Sequence, residues 1–182
     1  MDNIAQAPNS SYSASHPVAL MQKLFGILSD IFNNNPSIWR KDAKTGKLYI
    51  DSANLESVAS TCGWRKFEQS SCELKYVDMN DLTIGNSVED TKTAFFINLY
   101  NLLFIHAVFK FGQVPQSLFS RMQFFKSNKY NVGGMAFSLD DIAYGVLRGN
   151  PSVFPLGKRF KKGDKRLEFS LKMPSKYLGF SM

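Results

Sequence analysis

The sequence predicts an α+β domain, mostly helical, built around one buried central helix and carrying a small antiparallel sheet. Three observations carry this. Thr93 to Phe109 reads TAFFINLYNLLFIHAVF, seventeen residues without a charge between Lys92 and Lys110. Apolar residues recur at helical spacing earlier, at Val18, Met21, Leu24, Leu28 and Ile31. Later, Gly133-Gly134 separates Tyr130-Asn131-Val132 from Met135-Ala136-Phe137, a two-residue hairpin signal.

The elements follow in order. Residues 1–15 are rich in Ser, Asn, Ala and Pro and read as a disordered head before a globular domain over 16–171. Ser15 and Pro17 open a first helix, and Asn33-Asn34-Asn35-Pro36 ends it. Residues 41–46 form a turn and Leu48 to Ile50 a short extended piece. Asp51 or Ser52 caps a second helix with Leu55, Val58, Ala59 and Cys62 inward and Gly63 as its stop. Trp64 to Tyr76 reads as a third helix with Trp64, Phe67 and Leu74 buried.

Ser87 opens the central helix, Glu89 and Asp90 suit its positive pole, Lys110 its negative pole, and Gly112 stops it. Its apolar residues run all the way round, as expected of a helix inside a fold. Seventeen residues reach the lower limit for crossing a bilayer, but Asn98, Asn101 and His106 are costly there, so no membrane span is expected. After Pro115 come an apolar turn at Leu118-Phe119 and a basic-aromatic loop, RMQFFKSNK. The hairpin follows. Ser138-Leu-Asp-Asp141 is a capping box with Asp in place of Glu, and opens a helix through Ile142, Tyr144, Val146 and Leu147. Arg148-Gly149-Asn150-Pro151 closes that helix.

Composition narrows the function classes. The net charge is +7, yet residues 156–182 hold eight Lys or Arg against Asp164 and Glu168, leaving the body near neutral. A basic end attracts anionic surfaces without discrimination, so weak unspecific binding is expected and no specific nucleic acid. Its dense part, Lys158, Arg159, Lys161, Lys162, Lys165 and Arg166, reads as a solvated loop. Sixteen Phe are read as core filling. Cys62 and Cys72 have neither redox nor zinc spacing and read as free thiols. The N-terminus carries an acid, no Lys or Arg and no apolar run, so a cytoplasmic chain is expected.

Few residues point to chemistry. Asn98 and Asn101 share a helix face and are expected to be buried with hydrogen-bond partners, fastening the helix or lining a cleft. His106 reads as a satisfied core histidine. Asp140 and Asp141 suit the first turn of a helix without any catalytic role. With His16 and His106 the only histidines, no multi-histidine metal site is expected, and no cofactor is indicated.

Several short stretches in register resemble the domain of unknown function 547. They are AlaPhePheIleAsnLeuTyrAsn (94–101), Ile105-His106, TyrAsnValGlyGly (130–134), PheSerLeuAspAspIle (137–142) and LeuArgGlyAsn (147–150), within a span of about 50–171. The family has no settled activity. The resemblance implies neighbours such as DEP domains or glutaredoxin modules. It also implies a strand at Leu167–Leu171, joining the sheet of Tyr130–Phe137, and a divergent tail over 172–182: Glu168 stands where His is common, and the Cys-Gly and Cys-Pro that usually follow are missing. The leading functional expectation is a non-catalytic intracellular module that binds a protein partner. The alternative is a thiol-dependent hydrolase or transferase on a transglutaminase-like scaffold. Thr91 and Thr93, where that scaffold wants Cys, and Glu168 count against it.

Overall fold

A computed structural model describes residues 16–44, 48–152 and 157–175. Among them lie five α-helices: α1 (Pro17–Asn34), α2 (Leu55–Ala59), α3 (Cys62–Ser71), α4 (Val88–Phe111) and α5 (Leu118–Ser127). Two antiparallel hairpins join them, β1 (Trp39–Lys41) with β2 (Leu48–Ile50) and β3 (Lys129–Val132) with β4 (Met135–Ser138). A π-helix, Asp141–Leu147, follows β4 directly, and a 3-10 turn, Lys165–Phe169, comes after it. The α+β class around one central helix is the architecture observed.

The central helix stands where its apolar stretch places it. Glu89 and Asp90 occupy its first turn and Lys110 its last. Gly112 ends it at φ 80°, a left-handed conformation that glycine takes without steric cost. Ser87 sits at the N-cap but its side chain makes no capping bond. Phe96, Leu99, Leu102 and Leu103 are fully buried. Phe96 meets Phe137 of β4 at 5.5 Å and Phe169 at 6.1 Å, and Phe109 stacks on Trp64 of α3 at 3.8 Å. These contacts tie one helix to elements from both ends of the chain.

Several local readings are corrected. The second helix stops at Ala59, and Thr61 caps a new one by accepting the Trp64 N–H at 3.1 Å. Cys62 is therefore exposed, and Gly63 lies inside α3 rather than ending a helix. Trp64, Phe67 and Leu74 are buried. The segment after Pro115 is not a loop but the helix α5, capped by Ser117, which accepts the Ser120 N–H at 3.2 Å. Leu167–Leu171 forms no strand. Asp164 accepts the Arg166 N–H at 3.0 Å and winds the segment into the 3-10 turn. Ser15, read as the first cap, and the head 1–15 lie outside the described residues. His16 occupies the N-cap of α1, with Pro17 beginning the helix.

The hairpin pairs Tyr130 with Phe137 and Val132 with Met135, its turn formed by Gly133 and Gly134 at φ 55° and 80°. Beyond β4 the chain must turn from strand to helix, and a reciprocal box does this. Ser138 N–H donates to Asp141 Oδ2 at 3.0 Å, and Asp141 N–H to Ser138 Oγ at 3.1 Å. The π-helix then carries Gly145 against Phe160, so closely that a Cβ there would overlap the ring. Of the segment read as a tail, residues 172–175 are tethered: Lys172 N–H donates to Glu89 at 2.9 Å and Ser175 N–H to the Leu147 carbonyl at 2.8 Å. Residues 176–182 lie outside the described residues.

Candidate functional site

Polar chemistry gathers at the junction of β4, the π-helix and the basic segment. Asp141 is buried, and both of its carboxylate oxygens are used. Oδ1 faces Arg159 Nε at 2.5 Å, and Oδ2 faces Arg166 Nη1 at 3.1 Å besides the Ser138 N–H. Arg159 also donates to Ser138 Oγ at 3.2 Å. Arg166 donates to the Ala136 carbonyl at 2.7 Å and pairs with Asp164 at 2.8 Å, its guanidinium 4.4 Å from the Phe160 ring centre. Burial pushes the Asp141 carboxyl up, but the Ser138 N–H and the two arginines outweigh it and hold the carboxyl below its ordinary range. Asp140 stands farther from Arg159, at 3.8 Å, and there burial prevails and raises its carboxyl.

This corrects the reading of the basic run. Lys158, Lys161, Lys162 and Lys165 are exposed, but Arg159 and Arg166 are half-buried structural cations. Their shared partner, Asp141, lies 18 and 25 residues away, beyond what local charge counting detects. Position 168 contributes through its backbone: the buried Lys92 donates its ammonium to the Glu168 carbonyl at 2.9 Å.

A second polar cluster surrounds His106, which is buried. Its Nδ1 lies 2.8 Å from the Tyr130 hydroxyl, and Trp64 and Phe67 meet the ring edge-on at 5.8 and 5.6 Å. Glu68 Oε1 is 3.7 Å from Nε2, an ion-pair separation. The facing imidazole is the main reason the Glu68 carboxyl is lowered. Burial pushes the Tyr130 phenol far up, so it stays protonated. The neighbouring Cys72 donates to the Glu68 carbonyl, and burial with the Glu68 charge raises its thiol. A raised thiol is the reverse of what nucleophilic catalysis needs.

Asn98 and Asn101 do not form the expected buried pair. Asn101 is exposed and Asn98 half-buried, on the side of α4 that turns from the core. An amide that reaches solvent requires no interior partner. The structure thus separates His106 from both asparagines. Ser138, Asp140 and Asp141 are brought together with the distant Arg159 and Arg166.

One surface feature escaped the sequence reading. In α5, Leu118 is 84% exposed, Phe119 73% and Met122 52%, and Phe111 at the end of α4 is 55% exposed. Phe111 lies 6.0 Å from Phe124, which anchors α5 to the body. The signal was available in the Ser117 cap and the Leu118/Met122 spacing, but apolar residues on both faces of α5 obscured its amphipathic period.

No curated protein and no solved structure matches this chain. One family model does, over residues 84–182, more than half of the chain. It takes in α4, the β3–β4 hairpin, the Ser138–Asp141 box, both structural arginines and the segment beyond Leu171. The chain belongs to the family described as Protein of unknown function, DUF547.

Proposed function

We propose that this domain is a non-catalytic interaction module that docks through the corner formed by α5 and the end of α4. The observation that carries this reading is the exposure of Leu118, Phe119 and Met122 on one short helix. Large apolar side chains grouped in water cost free energy that a binding partner recovers. The polar clusters, by contrast, are engaged internally. Both oxygens of Asp141 are taken by arginines, and His106 is held between Tyr130 and Glu68. The raised Cys72 thiol weighs against the thiol-dependent alternative. A place beside DEP or glutaredoxin modules in a multidomain cytoplasmic assembly agrees with this role.

The test compares diffusion of a fluorescent fusion of the whole chain in cells with that of its Leu118→Ser/Phe119→Ser/Met122→Ser variant. The expected result is slow diffusion of the wild type and free diffusion of the variant, with both melting at the same temperature. Equal diffusion of the two would overturn the reading.

A further inference from the structure

The residues around α5 also specify a class of partner. From Lys110 to Leu139 the chain contains Lys110, Arg121, Lys126 and Lys129 and no Asp or Glu. Among the described residues none of these four cations makes an ion pair within 4 Å, although Lys126 acts at longer range on Asp140 and Lys110 on Glu68. On an ideal helical wheel Leu118, Met122 and Phe119 fall within about 100°, with Arg121 about 60° beyond Leu118 and Lys126 between Met122 and Phe119 one turn on. The apolar side chains lead the helix at its first turn, and the cations lie beside and behind them. The Arg121 guanidinium lies 6.0 Å from the Phe125 ring centre, so its stem follows the helix surface.

We infer that this corner is an interfacial wedge for an anionic lipid bilayer, with Leu118, Phe119 and Met122 entering the headgroup–acyl boundary and Lys110, Arg121, Lys126 and Lys129 meeting the lipid phosphates and carboxylates. The inference rests on the docking reading of α5 and names its partner. Charge complementarity selects an anionic surface. Shape selects a bilayer over an acidic peptide. A peptide helix or strand seats in a groove, whereas Leu118 and Phe119, at 84% and 73% exposure, are not recessed in one. Exposed Leu, Phe and Met with Lys and Arg on the same helix and its neighbours match what interfacial insertion uses. The snorkelling reach of Lys and Arg places their charges at headgroup level while the apolar tips go deeper. The exposed lysines 158, 161 and 162 belong to a different segment of the chain.

The experiment is flotation of the whole chain with phosphatidylcholine vesicles and with mixed phosphatidylcholine–phosphatidylserine vesicles. The wild type is expected to bind the mixed vesicles and not the neutral ones. Leu118→Ser/Phe119→Ser/Met122→Ser should weaken binding on the order of a hundredfold. Arg121→Ser/Lys126→Ser should weaken it roughly 10–30-fold. Lys158→Ser/Lys161→Ser/Lys162→Ser should leave most of it intact. Phe119→Trp should add an emission that shifts to the blue on binding. No binding to mixed vesicles, equal binding to neutral ones, or binding that survives the triple apolar substitution would each overturn the inference. Loss of vesicle binding with α5-dependent slow diffusion in cells retained would leave the docking reading standing and point to an acidic protein surface. Loss of both would remove the two together.

Discussion

Asn150 holds Phe160 by both of its backbone groups. The Asn150 amide nitrogen donates to the Phe160 carbonyl at 2.9 Å, and its oxygen accepts the Phe160 N–H at 2.9 Å. One side chain thus imitates a strand partner for a segment ten residues away. Asn150 is buried and takes a left-handed φ of 55°, which Asn tolerates better than most residues. Replacing it with Ala would leave a buried donor and acceptor unpaired, each costing about 1–3 kcal/mol. Asn150→Gly should keep the backbone relaxed and still lose both bonds. Urea melts of both variants should show a large loss of stability, with Gly no more than slightly better than Ala. A midpoint near wild type for either would show that the bracket contributes little.

Phe160, once held, lies across Gly145 in the π-helix with no room for a methyl group. Gly145→Ala therefore forces the ring or the helix to move, and overpacking of this kind costs about 1–3 kcal/mol. Phe160→Leu opens space but loses packing by itself. The double variant Gly145→Ala/Phe160→Leu should be more stable than the sum of the two single losses predicts. Additive losses in denaturant unfolding would place the strain elsewhere.

The Asp141 cluster makes stability depend on acid. Its carboxyl titrates below the ordinary value in the folded chain, so the folded state holds the proton less tightly than the unfolded chain does. The stabilisation is complete above the unfolded value, about pH 4, and is lost as pH falls through the lower folded value. Asp164 acts in the same direction, with Arg166 as the main cause. Asp140, raised by burial, opposes them. The net expectation is a denaturation midpoint that falls between about pH 5 and pH 3 and falls less steeply in Asp141→Asn. An unchanged slope in that variant would remove Asp141 as the cause. Arg159→Ser should destabilise at neutral pH as well, since it strips Asp141 of a partner, whereas Lys158→Ser should not.

How much of this was legible follows from how far apart the partners lie. The central helix, its Gly112 stop, the Gly133–Gly134 turn and the Ser138–Asp141 box depend on neighbours within a few residues, and all four stand out in the sequence. Arg159 and Arg166 read as loop charges because Asp141 is far from them along the chain. The 3-10 turn at Lys165–Phe169 stands where the family resemblance implies a strand, because the Asp164 cap winds this chain into a turn. Asn98 and Asn101 misled for a related reason. An apolar stretch implies that a helix is central, but it does not say which side the neighbouring elements leave open.

That open side gives a sharp contrast between two substitutions near the same helix. Asn101 is exposed, so Asn101→Leu should change stability by no more than about 0.5 kcal/mol. Tyr130 is buried in the hairpin, and its hydroxyl is the 2.8 Å partner of His106 Nδ1. Tyr130→Phe keeps the ring and removes that partner, leaving a buried imidazole nitrogen unsatisfied at a cost of about 1–3 kcal/mol. His106→Leu removes the other half, and the double variant should lose less than the two single losses combined, because the same bond cannot be lost twice. Equal melting temperatures for wild type and Asn101→Leu, with a clear drop for Tyr130→Phe, are the expected pattern. A large loss in Asn101→Leu with none in Tyr130→Phe would mean that α4 presents its faces the other way round, with the amides inside and the imidazole in water.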